Sequence, residues 1–254
     1  MSTTRPPSTV TGIRSEEYAT AGWGWRQRTG AIGIGYFVLQ VLGAALFIVA
    51  GNPPRFDDAK KYADFISSGS GLFLGDAFLT GVATVVFILF ALGIRGVIRE
   101  AGDRWEWVGA LAFGAALLLA AIALAGAAFE ATTAMVSTTR TDPTTVRAAW
   151  VATSLLFTFI YLPSALLLAT VSYAALRIKV LPIWAGWLGI FGGVLNLAAV
   201  ATVFGGTGDY GAVGLLPYVL GFAPGELWVL GVSVALLRAA PATARPDAAV
   251  PGAR

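Results

Sequence analysis

The sequence contains no cysteine and no histidine. Without cysteine the chain has no disulfide bonds, no thiolate nucleophile and no thiolate ligands for a metal. Without histidine it lacks the usual general base, the commonest metal ligand and the usual protein ligand of haem. These absences exclude a rhomboid-type Ser–His protease, a zinc protease and a bis-histidine cytochrome. We therefore expect no metal site and no cofactor.

Charged residues are also scarce. They make up 12% of the 254 residues, about half the share in an average soluble domain. Hydrophobic residues make up 57%, and the mean hydropathy is +0.75. A soluble chain of this length needs far more polar surface to cover its core, so the excess apolar side chains must face lipid. The net charge of +3 is too small to indicate nucleic-acid binding.

Six apolar stretches are long enough, at about 20 residues, to cross a hydrocarbon core of about 30 Å. The sequence therefore predicts an all-α, polytopic membrane protein, a bundle of six transmembrane helices. We divide the chain into a cytoplasmic N-terminal tail (residues 1–29), a transmembrane domain (30–238) and a disordered cytoplasmic C-terminal tail (239–254). The predicted spans are Ala31–Ala50, Leu72–Ile94, Trp107–Phe129, Ala149–Leu176, Pro182–Phe204 and Ala212–Leu237.

Basic residues are distributed unequally between the two sides of these spans. Twelve of the seventeen Lys and Arg residues lie on the side of the two termini and five on the other. By the positive-inside rule, this distribution places both termini in the cytoplasm. Tryptophan agrees, because six of the eight lie at the cytoplasmic ends of spans, where an aromatic belt belongs. These six are Trp23, Trp25, Trp105, Trp107, Trp184 and Trp187.

The first outer loop contains a helical pattern between Asp57 and Ser68. We expect a short amphipathic helix that lies on the outer membrane surface and ends near Gly69. In the second outer loop, Asp142 and Pro143 are typical of an N-cap followed by proline at the first helical position. The apolar positions of the first-loop helix are Ala59, Tyr62, Ala63 and Ile66.

Glycines recur on single helical faces of the last two spans. Gly186, Gly189 and Gly193 share a face of the fifth span, and Gly221 and Gly225 are four residues apart in the sixth. Small residues let helix backbones approach closely, which is how helices associate in lipid. We interpret these glycines as helix-packing positions, either within the bundle or against another membrane protein.

Five polar residues lie within about three residues of a span midpoint, or about 5 Å at the helical rise. Together they form the hypothetical ligand or proton site. Pro224 cannot donate a hydrogen bond to the carbonyl of Leu220, so we expect a bend there with a backbone oxygen in need of a partner. The five polar residues are Gln40, Thr84, Tyr161, Asn196 and Glu226.

Glu226 is the central member of this set. An ionisable side chain at mid-bilayer costs about 3 kcal/mol, so it normally faces the bundle interior. We expect it to be protonated at neutral pH and hydrogen-bonded to Asn196, Gln40, Tyr161 or a freed carbonyl. Two interpretations stay open: a neutral structural residue, or a residue that couples to protons or binds a ligand.

Three carboxylates, Asp76, Glu130 and Asp209, lie at the predicted outer face, and we interpret them as solvated interface charges. The tetrapeptide 206–209 matches the Gly-x-Gly-Asp signature of intramembrane aspartyl proteases, and Asp76 could supply the second carboxylate. That match is short, Asp209 falls in a Gly-rich turn, and no Tyr-Asp pair lies within a span. A protease is therefore not favoured.

Two motifs carry a family resemblance. The turn 177–189 reads RIKVLPIWAGWLG, and the last span carries PGEL at 224–227. Between Ala31 and Arg238 the chain resembles the bacterial membrane-protein family catalogued as domain of unknown function 4386, which has Leu-Pro-x-x-x-Gly and Gly-Glu-Leu at these places. Ile183 follows the proline where the family usually has Arg. The resemblance implies a six-helix bundle in a bacterial cytoplasmic membrane, with no assigned activity.

Three classes of function are compatible with these observations. The first is a small-molecule or proton-linked protein, a transporter-like bundle using the polar layer around Glu226. The second is a non-catalytic accessory or scaffold subunit that docks another membrane protein, or a second copy of itself, through Gly-rich faces. The third, a membrane enzyme, is disfavoured by the missing His and Cys. A polar cavity reaching Glu226 would favour the first, and a filled interior with an exposed Gly stripe the second.

Overall fold

A computed structural model describes residues 24–51, 54, 58–139, 141–206, 211 and 215–239. All but a few residues of both predicted tails fall outside these ranges, so the disorder expected of the C-terminal tail stays a prediction.

Every regular element in the described residues is helical, which confirms the predicted all-α fold. Two 3₁₀ turns (Asp103–Trp105 and Thr202–Gly205) and a π-helix (Tyr218–Phe222) accompany the α-helices. The α-helices are α1 Trp25–Ala50, α2 Ala59–Ser68, α3 Ser70–Arg99, α4 Glu106–Ser137, α5 Pro143–Phe159, α6 Tyr161–Ile178, α7 Ile183–Ala201, α8 Leu215–Pro217 and α9 Ala223–Arg238.

Six helical segments in the described part of the chain are long and apolar enough to cross a membrane, and they correspond to the six predicted spans. The protein is therefore a multi-pass integral membrane protein. The second and third spans are longer than predicted. α3 has 30 residues and α4 has 32, about 45 and 48 Å at the helical rise. Their ends extend beyond a hydrocarbon core of about 30 Å.

Helix α7 shows how the bundle is stabilised. Its buried side carries alanines, glycines and Asn196, whereas large apolar side chains such as Phe191, Val194 and Leu197 are more than half exposed. This arrangement is the reverse of that in a soluble protein. Lipid solvates the large apolar side chains, so close backbone packing of small residues, rather than apolar burial, holds the helices together.

The fourth span is broken at Ile160, between α5 and α6. Pro163 explains the break, because it has no N–H to donate to the carbonyl of Phe159. The N-terminus of α5 follows the sequence prediction. Asp142 caps it by accepting a hydrogen bond from the backbone N–H of Thr145 at 3.2 Å, and Pro143 takes the first position.

Helix α2 forms as the sequence predicts, and its apolar face is covered by the bundle itself. Its apolar residues Tyr62 and Ile66 are buried against Phe73, Val146 and Trp150 of the bundle. An amphipathic face can be covered by lipid or by neighbouring helices, and periodicity alone does not distinguish the two.

The cap of α2 also forms locally. The backbone N–H of Lys61 donates to Asp58 at 3.0 Å, and its ammonium group lies 3.1 Å from the same carboxylate. These two interactions lower the pKa of Asp58 below its usual value.

The helices pack in an order that brings distant spans together. α1 lies against α3 and α9, α3 against α4, α4 against α5 and α6, and α7 against α6 and α9. We call the end of the bundle that carries α2 the α2 end, and the opposite end the Trp25 end. At the Trp25 end, ion pairs join Arg26 to Glu100 and Arg95 to Glu106.

The orientation of this bundle in the membrane can be tested with single cysteines, because the chain has none of its own. We expect Ser68→Cys and Thr138→Cys, both exposed at the α2 end, to react with an impermeant thiol reagent on intact cells. Asp103→Cys, exposed at the Trp25 end, should react only after permeabilisation. Labelling of Asp103→Cys alone on intact cells would reverse the predicted topology.

Candidate functional site

Glu226, in the first turn of α9, forms the centre of a buried polar site. Its side chain is 7% exposed. One carboxyl oxygen, Oε1, accepts a hydrogen bond from the hydroxyl of Tyr36 in α1 at 2.6 Å. The other, Oε2, is buried without a partner among the described residues. Glu226 therefore faces the bundle interior, where one oxygen is paired and one is available.

Gln40 extends this arrangement by one helical turn. Its Nε2 donates to the hydroxyl of Tyr36 at 3.0 Å, so Tyr36 accepts from Gln40 and donates to Glu226. Gln40 thus belongs to the site as the sequence predicts, but it acts through Tyr36 rather than by direct contact with Glu226. The ring of Phe87 packs at 5.1 Å from that of Tyr36 and restricts its orientation.

The sequence prediction did not include Tyr36 in the site, although a signal for it exists. Gly30, Gly33, Tyr36, Gln40 and Gly43 share one face of α1 at spacings of three and four. A Cβ at Gly30 would lie only 2.6 Å from the backbone oxygen of Ser233 in α9, and one at Gly33 would overlap the Ser233 side chain. The two glycines therefore let α1 approach α9 closely enough for Tyr36 to reach Glu226.

Asn196 of α7 is fully buried and contacts a different part of the last span. Its Nδ2 donates to the carbonyl of Gly192 at 2.9 Å and to that of Gly221 at 3.2 Å. Gly221 lies in the π-helix that precedes Pro224. The sequence predicts that a backbone carbonyl near Pro224 needs a hydrogen-bond donor. Asn196 provides that donor, but the acceptor is the carbonyl of Gly221 rather than that of Leu220. Asn196 stabilises this irregular turn and does not bond to Glu226.

The sequence predicts Tyr161 and Thr84 as members of the Glu226 site, but neither is hydrogen-bonded to Glu226 in the described structure. The ring of Tyr161 packs on Gly221, where any Cβ would overlap it. In the described structure no hydrogen bond joins Tyr161 to Glu226. Thr84 is buried and donates to the carbonyl of Thr80 in its own helix at 2.7 Å, which satisfies its hydroxyl locally.

Asp76, which is partly buried, and Glu130, which is buried, form a second acidic site. Glu130 is 2% exposed, and its carboxyl group lies within hydrogen-bonding reach of that of Asp76. Asp76 also lies against Gly43, where a Cβ would overlap its Oδ1. The interpretation of these residues as solvated interface charges is wrong, because α3 and α4 turn them towards each other. Asp209 lies outside the described residues, so the Gly-x-Gly-Asp match stays untested.

One face of α1 connects the two acidic sites. Tyr36 touches Glu226, and Gly43 touches Asp76. These two positions are seven residues apart, about 10 Å along a helix. Two carboxyl groups alone provide few ligands for a metal ion, and no group of three or more acidic residues suited to a metal occurs among the described residues. A buried carboxyl group with one unpaired oxygen can hold a proton.

The predicted packing glycines differ in their surroundings. A Cβ at Gly186 would lie 2.8 Å from Leu176, and one at Gly189 would lie 2.9 Å from Trp228 Nε1. At Gly193 the nearest atom, the carbonyl oxygen of Ala165, is an ordinary 3.5 Å away. A Cβ at Gly225 would meet nothing within 4 Å, so its predicted packing role is not supported.

Comparison with known proteins provides no further assignment: no protein-family model, no curated protein and no solved structure matches this chain.

Proposed function

We propose that this protein is a proton-linked membrane protein in which Glu226 binds and releases a proton inside the bundle. The observation that carries the proposal is the hydrogen-bonded chain Gln40–Tyr36–Glu226, buried between α1 and α9. A carboxyl group in the membrane interior costs about 3 kcal/mol on insertion scales and is often functional. A purely structural role would be served by an amide or a hydroxyl without that cost.

The hydrogen-bond pattern supports a proton as the ligand. The hydroxyl of Tyr36 already donates to Oε1 of Glu226, and Oε2 has no described partner. A proton can therefore occupy Oε2 without breaking an existing bond. The Asp76–Glu130 pair also requires a proton between its two carboxyl groups, which provides a second proton-holding group along the same face of α1.

The accessory-subunit alternative depends on an exposed Gly-rich helix face, and the glycines do not provide one. Docking through the Gly-rich faces requires those faces to be exposed, and Gly186, Gly189 and Gly221 are covered by Leu176, Trp228 and Tyr161 of the same chain. We also propose that the protein lies in a bacterial cytoplasmic membrane, as the family resemblance implies. Both termini are then in the cytoplasm, as the distribution of basic residues predicts.

Infrared spectroscopy of the protein in nanodiscs tests proton binding directly. In the difference spectrum of the wild type minus Glu226→Gln, which cancels the band of the Asp76–Glu130 pair, we expect a carboxylic-acid C=O band that loses intensity as pH rises. This band should shift in frequency in Tyr36→Phe, because the hydrogen-bond donor is removed. Glu100→Gln, which alters an exposed carboxylate paired with Arg26, is the control and should leave the band unchanged. A difference band that is independent of pH, or the lack of any difference band between the wild type and Glu226→Gln, would rule out Glu226 as the proton site.

Stability separates the structural contribution of Glu226 from the functional one. Glu226→Gln keeps an acceptor for Tyr36, so the melting temperature should stay close to that of the wild type. Glu226→Ala leaves the buried Tyr36 hydroxyl without its acceptor, which should lower the free energy of unfolding by about 1–3 kcal/mol. Equal destabilisation by Gln and Ala would show that the fold requires the carboxyl group itself.

A further inference from the structure

A groove of about 900 Å³ opens at the Trp25 end of the bundle, between the α6–α7 turn and α9. Its end carries the cationic side chains of Arg26, Lys179 and Arg238, and the rest of its lining is mostly apolar. It is separate from the Glu226 site and shares none of that site's residues.

The cations differ in how they are neutralised. Arg26 is paired with Glu100. Neither Lys179 nor Arg238 has an acidic partner within the described part of the chain, and both are exposed. Two uncompensated positive charges at the end of membrane helices are complementary to one phosphate group.

The backbone at Lys179 adds a second observation. Lys179 adopts the left-handed conformation, with φ of 54°, at the C-cap of α6. Glycine or asparagine is the usual residue at such a cap, because other side chains are strained there. The conformation holds Lys179 at the groove, beside Pro182 and Ile183.

The apolar part of the groove has the length of a lipid chain within one leaflet. It follows α9 from Leu227 to Arg238, residues eleven apart, which is about 16 Å at the helical rise. Half of the hydrocarbon core is about 15 Å. Gly231 lies four residues along this strip from Leu227 and has no side chain, and the indole of Trp184 packs against it.

We propose that this groove binds an anionic phospholipid, with the phosphate between Lys179 and Arg238 and an acyl chain along α9 from Arg238 towards Leu227. An anionic phospholipid combines a negative headgroup with an acyl chain that reaches through one leaflet. The two cations are complementary to the headgroup, and the apolar strip along α9 is complementary to the chain. Basic pockets between membrane helices are known sites for anionic headgroups. The predicted cytoplasmic location of this end is consistent with the anionic character of that leaflet.

Native mass spectrometry of the purified full chain in detergent tests the proposal by titration with phosphatidylglycerol. We expect the wild type to bind phosphatidylglycerol more tightly than phosphatidylcholine, and the double variant Lys179→Gln, Arg238→Gln to lose about 30-fold in affinity for phosphatidylglycerol. The matched control is Lys60→Gln, Lys61→Gln, which removes two exposed charges at the α2 end and should leave the affinity unchanged. The exchange Lys179→Arg, Arg238→Lys keeps both charges and should also bind.

Several outcomes would overturn the proposal. Equal affinity for phosphatidylcholine would mean that the charges do not select the lipid. Competition by soluble glycerol phosphate at the same concentration as phosphatidylglycerol would identify an anion site without a chain site. An unchanged phosphatidylglycerol affinity in the Gln double variant, together with a lower melting temperature, would show that Lys179 and Arg238 only stabilise helix C-termini.

Discussion

Trp228→Ala should lower the free energy of unfolding by about 3–5 kcal/mol, the typical loss for a fully buried tryptophan. Trp228 is 1% exposed, and its Nε1 donates to the carbonyl of Ala185 at 3.0 Å. One turn further along α7, Gly189 provides the space for the indole. The side chain therefore joins α9 to α7, and its removal leaves a cavity and loses the hydrogen bond between the two helices.

Two matched variants separate these contributions in reversible unfolding experiments. Trp228→Phe keeps most of the volume and loses the hydrogen bond, so its loss should be about 1–3 kcal/mol. Trp187→Ala removes the same side chain from a position that is 62% exposed, and it should change stability by less than about 0.5 kcal/mol. If Trp187→Ala were as damaging as Trp228→Ala, the assignment of lipid-facing and interior surfaces on α7 and α9 would be wrong.

Gly221→Ala and Gly225→Ala should have opposite effects, although both glycines belong to the same stretch of the last span. A Cβ at Gly221 would overlap the ring of Tyr161, so we expect a loss of about 1–3 kcal/mol from overpacking. A Cβ at Gly225 meets open space. Alanine there should be neutral or should stabilise by up to about 1 kcal/mol, because glycine is the poorer helix former.

The melting temperatures of the two variants, measured in the same detergent, provide the comparison. The pair is informative because both substitutions add one methyl group, and they differ only in what the group meets. Gly221→Ala, Tyr161→Ala together should recover part of the stability lost in Gly221→Ala, since the obstructing ring is gone. Equal melting temperatures for the two single variants would contradict the packing of Tyr161 on the π-helix.

Much of the fold can be predicted from the sequence because each relevant signal is local. A run of about 20 apolar residues predicts a span regardless of its neighbours. The Asp142–Pro143 cap and the start of α2 after Asp58 depend on side chains that bond within a few residues. The π-helix before Pro224 follows less directly, because proline predicts a lost hydrogen bond but not how the backbone compensates.

The candidate site is predictable only in part, since its contacts join residues far apart in the chain. The distance of a residue from its span midpoint identifies Glu226 and Gln40 as members of the site. This distance does not show which helix faces Glu226. Gly30 and Gly33 decide that α1 lies against α9, and this makes Tyr36 the direct partner. Asn196, at the same predicted depth, faces Gly221 instead.

The sequence by itself determined that this is a multi-pass helical membrane protein, because hydropathy acts through each segment's own contact with lipid. It also determined which polar residues would be costly in that environment, Glu226 above all. Only the tertiary structure decided how those residues are paired: Glu226 with Tyr36, and Asp76 with Glu130. The physical reason is that lipid provides no directional preference between helices. The rotation of each span is therefore set by small-residue contacts and buried hydrogen bonds, which exist only once the helices have met.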